Sequence, residues 1–288
     1  MLKFSRELES KLAKYRADYR LIVNDWLESG AFGITYPALL VETFHYVRHS
    51  CSLMNYACAQ LGHESLPLQI YFARHIAEEV GHEEWLLNDL EKLGYNRLEV
   101  EASPPLAETI NLVGSQLYVI NYLHPAGLLG YVYLMESTPP SKTSLAFLEA
   151  YGVKSGAMTF LSRHGQEDQR HRRELRDTLD THFTEPRIRE AAILSAVMGL
   201  SNVNRLLARV KRGKYADCFP ETTTASALAI QTHFPSIIIP LSLRPSRNGG
   251  HEPSNQTLKR RNQNVAKAKQ PQRAISAGRK KHAGSGGL

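Results

Sequence analysis

The sequence has little cysteine, no long apolar run, no strand alternation and no internal repeat, and each gap removes a class of protein. Three cysteines in 288 residues (Cys51, Cys58 and Cys218) cannot staple a small secreted scaffold. Cys51 and Cys58 stand two helical turns apart on an apolar face, which fits buried thiols in a reducing compartment. No uninterrupted apolar stretch approaches the ~18 residues of a membrane span. The opening Met1-Leu-Lys-Phe-Ser-Arg-Glu-Leu-Glu carries acids where a signal peptide is apolar, so a cytoplasmic location is expected. Residues 244–288 lack aromatics and almost all apolar content, and their eleven Lys/Arg face the single acid Glu252. The other 243 residues keep 24 of the 35 basic and 27 of the 28 acidic side chains, so the formal charge of +7 belongs to the tail.

What is present is helical patterning. Apolar residues recur at helical spacing over 4–28, 36–61 and 66–94, with Pro67 near the start of the third and Gly94 at its end. Further helices are expected over 104–123, 125–139, 141–151, 155–182 and 186–212. The expected fold class is all-α, about seven or eight helices in one domain over 1–213. Residues 214–243, with their Thr run and Pro235-Ser-Ile-Ile-Ile-Pro240, are expected to form an irregular extension. Residues 244–288 cannot bury enough surface to order themselves and are expected to be a disordered basic tail. Phosphate neutralisation on nucleic acid or another anionic surface is one role for such a tail; a solvated extension without a role is the other. It has no aromatics for stacking on bases.

Two short segments carry metal-ligand chemistry. In Glu79-Val-Gly-His82 an acid precedes a histidine by three residues. In His164-Gly-Gln-Glu-Asp168-Gln-Arg-His171 three donors stand at i, i+4 and i+7. On a helix each set shares one face. Lone acids on separate helices, Glu42 and Glu136, complete a chain order known from dimetal carboxylate bundles: one acid, acid-x-x-His, one acid, acid-x-x-His. Carboxylate and imidazole together suit divalent iron or manganese, and carboxylates can bridge two repelling cations. The plainer reading is surface chemistry. Glu79 lies among Glu78, Glu83 and Glu84, and the second segment among Arg163, Arg170, Arg172 and Arg173, so solvated or salt-bridged faces would also account for them.

These residues resemble the haem-oxygenase-like di-iron oxidases and oxygenases over roughly 20–210. His164-x3-Asp168-x2-His171 is the most specific element. Glu79-Val-Gly-His82-Glu-Glu-Trp-Leu-Leu-Asn-Asp-Leu, Tyr131-Val-Tyr-Leu-Met-Glu136 and Val41-Glu42-Thr-Phe-His-Tyr are similar to the other ligand-bearing helices. The resemblance implies a haem-oxygenase-like bundle holding two iron ions, with O2 as cosubstrate. It places Glu42, His82 and His171 on one iron, Glu136, His164 and Asp168 on the other, and Glu79 between them. His75 and Glu78 compete with Glu79 for its place, and His45 is a further ligand or an outer partner. The implied activity is oxidative decarboxylation, C–C cleavage or N-oxygenation of a fatty acid, amino acid or amine.

Rival readings of the same scaffold fit less well. The first histidine, His45, comes after the first helix, where a haem ligand would be needed. No cysteine sits mid-chain to act as a thiaminase-like nucleophile. A metal-free oxidase would leave the carboxylates unexplained. A non-enzymatic metal-binding protein docking on nucleic acid through its tail remains the second hypothesis. Expected partners are a small-molecule substrate and, for assembly, a homodimer. Tyr46, Tyr122, Tyr131, Tyr133 and Phe160 are candidates to line a pocket, and Arg48, Arg163 or Arg170 to hold a substrate carboxylate. Trp26 and Trp85 read as packing residues.

Overall fold

The computed structural model describes residues 3–138 and 142–213, the side chains of 165–169 excepted; the expectations for 214–243 and 244–288 lie outside the described residues. Every regular element among the described residues is helical, as the patterning predicts. Helix α1 (Phe4–Glu28) buries Phe4, Leu8 and Leu12, a stripe set by the 3.6-residue period. Then come α2 (Ala31–Val47), α3 (Ser50–Ala59), α4 (Leu66–Glu79), α5 (His82–Lys92) and α6 (Arg97–Ala102). Asn96 caps α6, its side-chain oxygen accepting from the backbone N–H of Leu98 and Glu99. Helix α7 (Ala107–Tyr118) runs into a π turn over Val119–Leu123. After a 3-10 turn at Pro125–Gly127 follow α8 (Leu128–Glu136), α9 (Lys142–Ala150), α10 (Thr159–His182) and α11 (Pro186–Lys211).

Two expected helices are broken in ways that periodicity cannot show. The 36–61 segment starts earlier, at Ala31, and turns at Arg48–His49. The 66–94 segment stops at Glu79 and restarts at His82, because Val80 is extended and Gly81 takes φ +90°, a conformation open to glycine. Glu79 and His82 therefore do not share a helix; they end one and begin the next.

Helix α11 is the centre, packing on α1, α2, α7 and α8. By length and composition it would also pass as a membrane span, but half of its apolar window is buried in the protein, which accounts for its character. It lies tight against α8, where Gly130 meets the Ala192 backbone and has no room for a Cβ. Two apolar clusters result. One joins α3, α4, α8 and the start of α1; the other joins Trp26, α2, α5 and the end of α11.

Candidate metal centre

Helix α8 is buried on every side, so its one acid, Glu136, sits in the core with only 5% of its surface exposed. An ionised carboxylate there costs several kcal/mol unless partners compensate. The partners are histidines. Glu136 Oε1 lies 3.3 Å from His75 Nε2, and Glu136 Oε2 lies 3.3 Å from His171 Nδ1. Glu79, at the end of α4, enters the same space, its Oε1 3.7 Å from His171 Nδ1 and 4.0 Å from His75 Nε2. Its other oxygen turns to the start of α5, 2.8 Å from His82 Nδ1. His164 of α10 packs edge-on against His82, ring centroids 4.8 Å apart.

These side chains form two donor groups. His75, Glu79, Glu136 and His171 make one; Glu79, His82 and His164 make the other. Within each, the ligand atoms lie within 4.8 Å of one another. Glu79 belongs to both. The turn at Val80-Gly81 makes this sharing feasible, since it directs the chain so that one carboxylate faces α8 and α10 on one side and α5 on the other. Glu79 Oε1 and Glu136 Oε2 are buried and make no close hydrogen bond of good geometry. Two electron-rich oxygens facing imidazoles and lacking donors fit a divalent cation better than they fit one another.

Electrostatics point the same way. Burial alone would raise the Glu136 carboxyl, but the facing His171 and His75 imidazoles outweigh it and hold it down to about 2. Burial alone would lower His171, yet Glu136, Glu79 and Glu78 push it up to about 9. Glu79 is likewise held below the usual carboxylate value, His82 overcoming the effect of burial. Glu136 and Glu79 are thus held as anionic carboxylates, the form a metal needs, while His171 carries a proton that a metal would have to displace.

The supports come from neighbouring helices. Glu78 Oε2 lies 3.0 Å from His171 Nε2, on the outer side of that ring, and its other oxygen accepts from Arg170 at 2.8 Å. Asp89 of α5 accepts from Phe160 N–H at 2.8 Å and so caps the start of α10, one turn before His164. Ser195 of α11 accepts from the Tyr131 N–H at 3.2 Å and donates to Gln116 Oε1 at 2.6 Å, tying α8 to α11 and α7. Tyr71 stacks on His75 with ring centroids 5.6 Å apart.

Not every candidate joins the groups. Glu42 is fully buried, but its carboxylate accepts from Leu106 N–H at 3.2 Å and from the Thr109 hydroxyl, at the start of α7. His45 Nε2 lies 2.9 Å from Ser103 Oγ, and burial, with Arg48 and His49 beside it, pulls its pKa down to about 4. Asp168 occupies α10 between His164 and His171, and its side chain is outside the described ones. His75, a competitor for one place in the sequence, is a full member of the first group. Its i, i+4 spacing to Glu79 on α4 was the available signal.

A cavity of about 270 Å³ opens against the centre, reached by His75, Glu79, Glu136 and His164. Its walls are otherwise mainly apolar, drawn from both core clusters: Leu53, Met54, Val132 and Leu200 on one side, Trp26, Phe32, Phe160 and Leu207 on the other. Tyr46, Tyr131 and Phe160 line it as expected from the sequence; Tyr122 is exposed, and the Tyr133 hydroxyl is bound to Glu9. Among the described residues no Arg or Lys lines it. Arg48 lies over Phe44, Arg163 over Trp85, and Arg170 pairs with Glu78.

The fold has solved counterparts. A domain of unknown function with a haem oxygenase-like fold from Shewanella denitrificans is 20% identical, covering 74% of this chain and 91% of that one at a TM-score of 0.59. A TenA homologue from Pseudomonas syringae pv. tomato is 12% identical, covering 73% and 93% at 0.57. A CADD-like protein of unknown function from Nostoc punctiforme is 16% identical, covering 73% and 96% at 0.54. These likenesses establish a haem-oxygenase-like fold and carry no activity with them. No curated protein matches the chain. Residues 38–202, more than half of the sequence, match the model of the iron-containing redox enzymes, and the chain belongs to that family.

Proposed function

We propose that this protein is an O2-activating non-haem di-iron oxidase or oxygenase acting on a small, largely apolar metabolite. The observation that carries the reading is the shared carboxylate: Glu79 belongs to both donor groups, and an apolar cavity opens against them. His75, Glu136 and His171 would hold one iron, His82 and His164 the other, with Asp168 joining from the same stretch of α10. Glu79 would bridge them. Glu42 serves as the cap on α7. Bound iron would supply the O2 activation that oxidation of an unactivated carbon or nitrogen requires.

The chain's own residues set what is oxidised. With no Arg or Lys among the described residues of the cavity wall, a substrate's polar end would be met at the metal end or by wall hydroxyls such as Thr43, Tyr46, Ser50 and Tyr131, while its apolar part would pack on Leu53, Met54, Val132 and Leu200. That favours an aliphatic acid or amine over a strongly polar amino acid. The enclosing aromatic wall of Trp26, Phe32 and Phe160 keeps water from the reacting end. Tyr71 and Glu78 fix the rings of His75 and His171. Anaerobic reconstitution with Fe(II), followed by metal analysis, tests the reading. Two irons per chain are expected; a chain that retains none refutes it.

A further inference from the structure

One ligand of the centre continues as a stack of rings to the surface. The His82 and Trp85 rings are stacked, centroids 4.1 Å apart and planes 27° apart. The same indole meets His164 edge-on at 6.1 Å, so it touches both imidazoles of one donor group. The indole is half-buried and lines a surface hollow with Asn88, Glu91, Lys92, Thr159 and Arg163, whose guanidinium carbon lies 5.0 Å over the ring. Neither His82 nor Trp85 lines the apolar cavity. Among the described residues no ring stack leads from the other donor group to the surface: Tyr71, which stacks on His75, is only 7% exposed.

We propose that Trp85 is the electron-entry residue of the centre, through which a one-electron donor at this hollow reduces the iron held by His82 and His164. The inference rests on the di-iron reading above. One electron leaves the donor and one ferric ion becomes ferrous; no bond forms or breaks, and the indole ends unchanged. A ring stacked directly on a ligand replaces a through-space gap by conjugated atoms, and electron transfer weakens steeply with gap. Because the hollow is separate from the cavity, the donor reaches the centre while substrate is in place. Trp85 also packs on the second apolar cluster, and plain packing is the competing account.

The test uses the full chain loaded with iron, oxidised, and mixed rapidly with methyl viologen radical cation as donor. At matched iron content, Trp85→Leu should reduce more slowly than wild type. Trp85→Phe, which keeps a stacked ring, should recover part of the rate. Equal rates in all three overturn the proposal, as does a Trp85→Leu chain that holds less iron, since packing alone would then explain the residue. A second readout needs no turnover: Co(II) added to the iron-free chain should lower indole emission more in wild type than in Trp85→Phe, and an equal loss in both counts against the contact. Failure of the di-iron reading itself would be seen separately, as absence of iron from wild type.

Discussion

Glu42 and Glu136 start from the same sequence context and end in opposite surroundings. Each is the sole acid of a largely apolar helix, and they are 0% and 5% exposed. At the start of α7, Glu42 accepts from a backbone N–H and a hydroxyl, ordinary donors that offset part of the cost of burial. At the end of α8, Glu136 meets two imidazoles, keeps one oxygen free of any hydrogen bond, and shares the space with a second carboxylate. Burial of an acid therefore says little about its work; the kind of donor facing it says more. A carboxylate matched by N–H and O–H groups is a structural cap. One that faces imidazoles and a second carboxylate has the surroundings of a metal ligand.

The contrast breaks most sharply on metal content. Glu79→Ala should abolish iron binding at both positions, because the side chain serves both groups, whereas Glu136→Ala should leave about one iron per chain. Metal analysis after anaerobic Fe(II) loading reads both outcomes. If Glu136→Ala keeps both irons, Glu136 belongs with Glu42 among the structural acids.

The next effect is on pH dependence without metal. His171, raised to about 9, contributes fully below its ordinary value of 6.5, and that contribution is lost as pH rises through 9. Glu136, held down to about 2, contributes above its ordinary value of 4.5, and that contribution is lost as pH falls toward 2. The metal-free protein should thus have a stability plateau between pH 4.5 and 6.5 that declines on both sides. Melting curves across this range should show the plateau in wild type and its loss in Glu136→Gln. Iron must displace the His171 proton, so loading near neutral pH should release acid, measurable in weakly buffered solution.

A smaller effect is expected at Glu78, which touches His171 only from outside the centre. Glu78→Gln should weaken iron binding by roughly 10–100-fold through loss of ring orientation, with the saturating stoichiometry unchanged. A change in stoichiometry would make Glu78 a ligand and move it to the Glu136 side of the comparison.

How far the sequence reveals this difference depends on distance along the chain. The α10 pattern from His164 to His171 and the lone Glu136 were legible because helical periodicity puts them on definable faces. Glu79's shared place came only through the resemblance and not from spacing, because it depends on the break at Val80-Gly81, and a three-residue spacing looks the same on a continuous helix. His75 was visible only as a rival for Glu79; in the fold the two act together. Glu42 was out of reach for another reason: its partners Leu106 and Thr109 lie 64 and 67 residues away, and nothing local marks them. Trp85 read as packing and does pack on the second apolar cluster; its stack on His82 is the contact that periodicity left out. Fold class, set by patterns of 10–25 residues, needed none of this long-range information.

Glu42 also supplies the finest test. Glu42→Ala removes the acceptor for Leu106 N–H and Thr109 Oγ1 at the head of α7 and leaves a small void among apolar neighbours. Loss of a buried helix cap of this kind costs about 2 kcal/mol. For a domain of this size that corresponds to a fall in Tm of roughly 4–8 °C. The loss should appear equally with and without metal, and iron per chain should stay at the wild-type value. Replacement by Gln keeps an acceptor for one of the two donors and should recover part of the lost Tm. The opposite pattern, iron lost while the metal-free Tm holds, would mean that the carboxylate leaves its cap when metal arrives. The donors around an acid would then no longer suffice to tell a cap from a ligand.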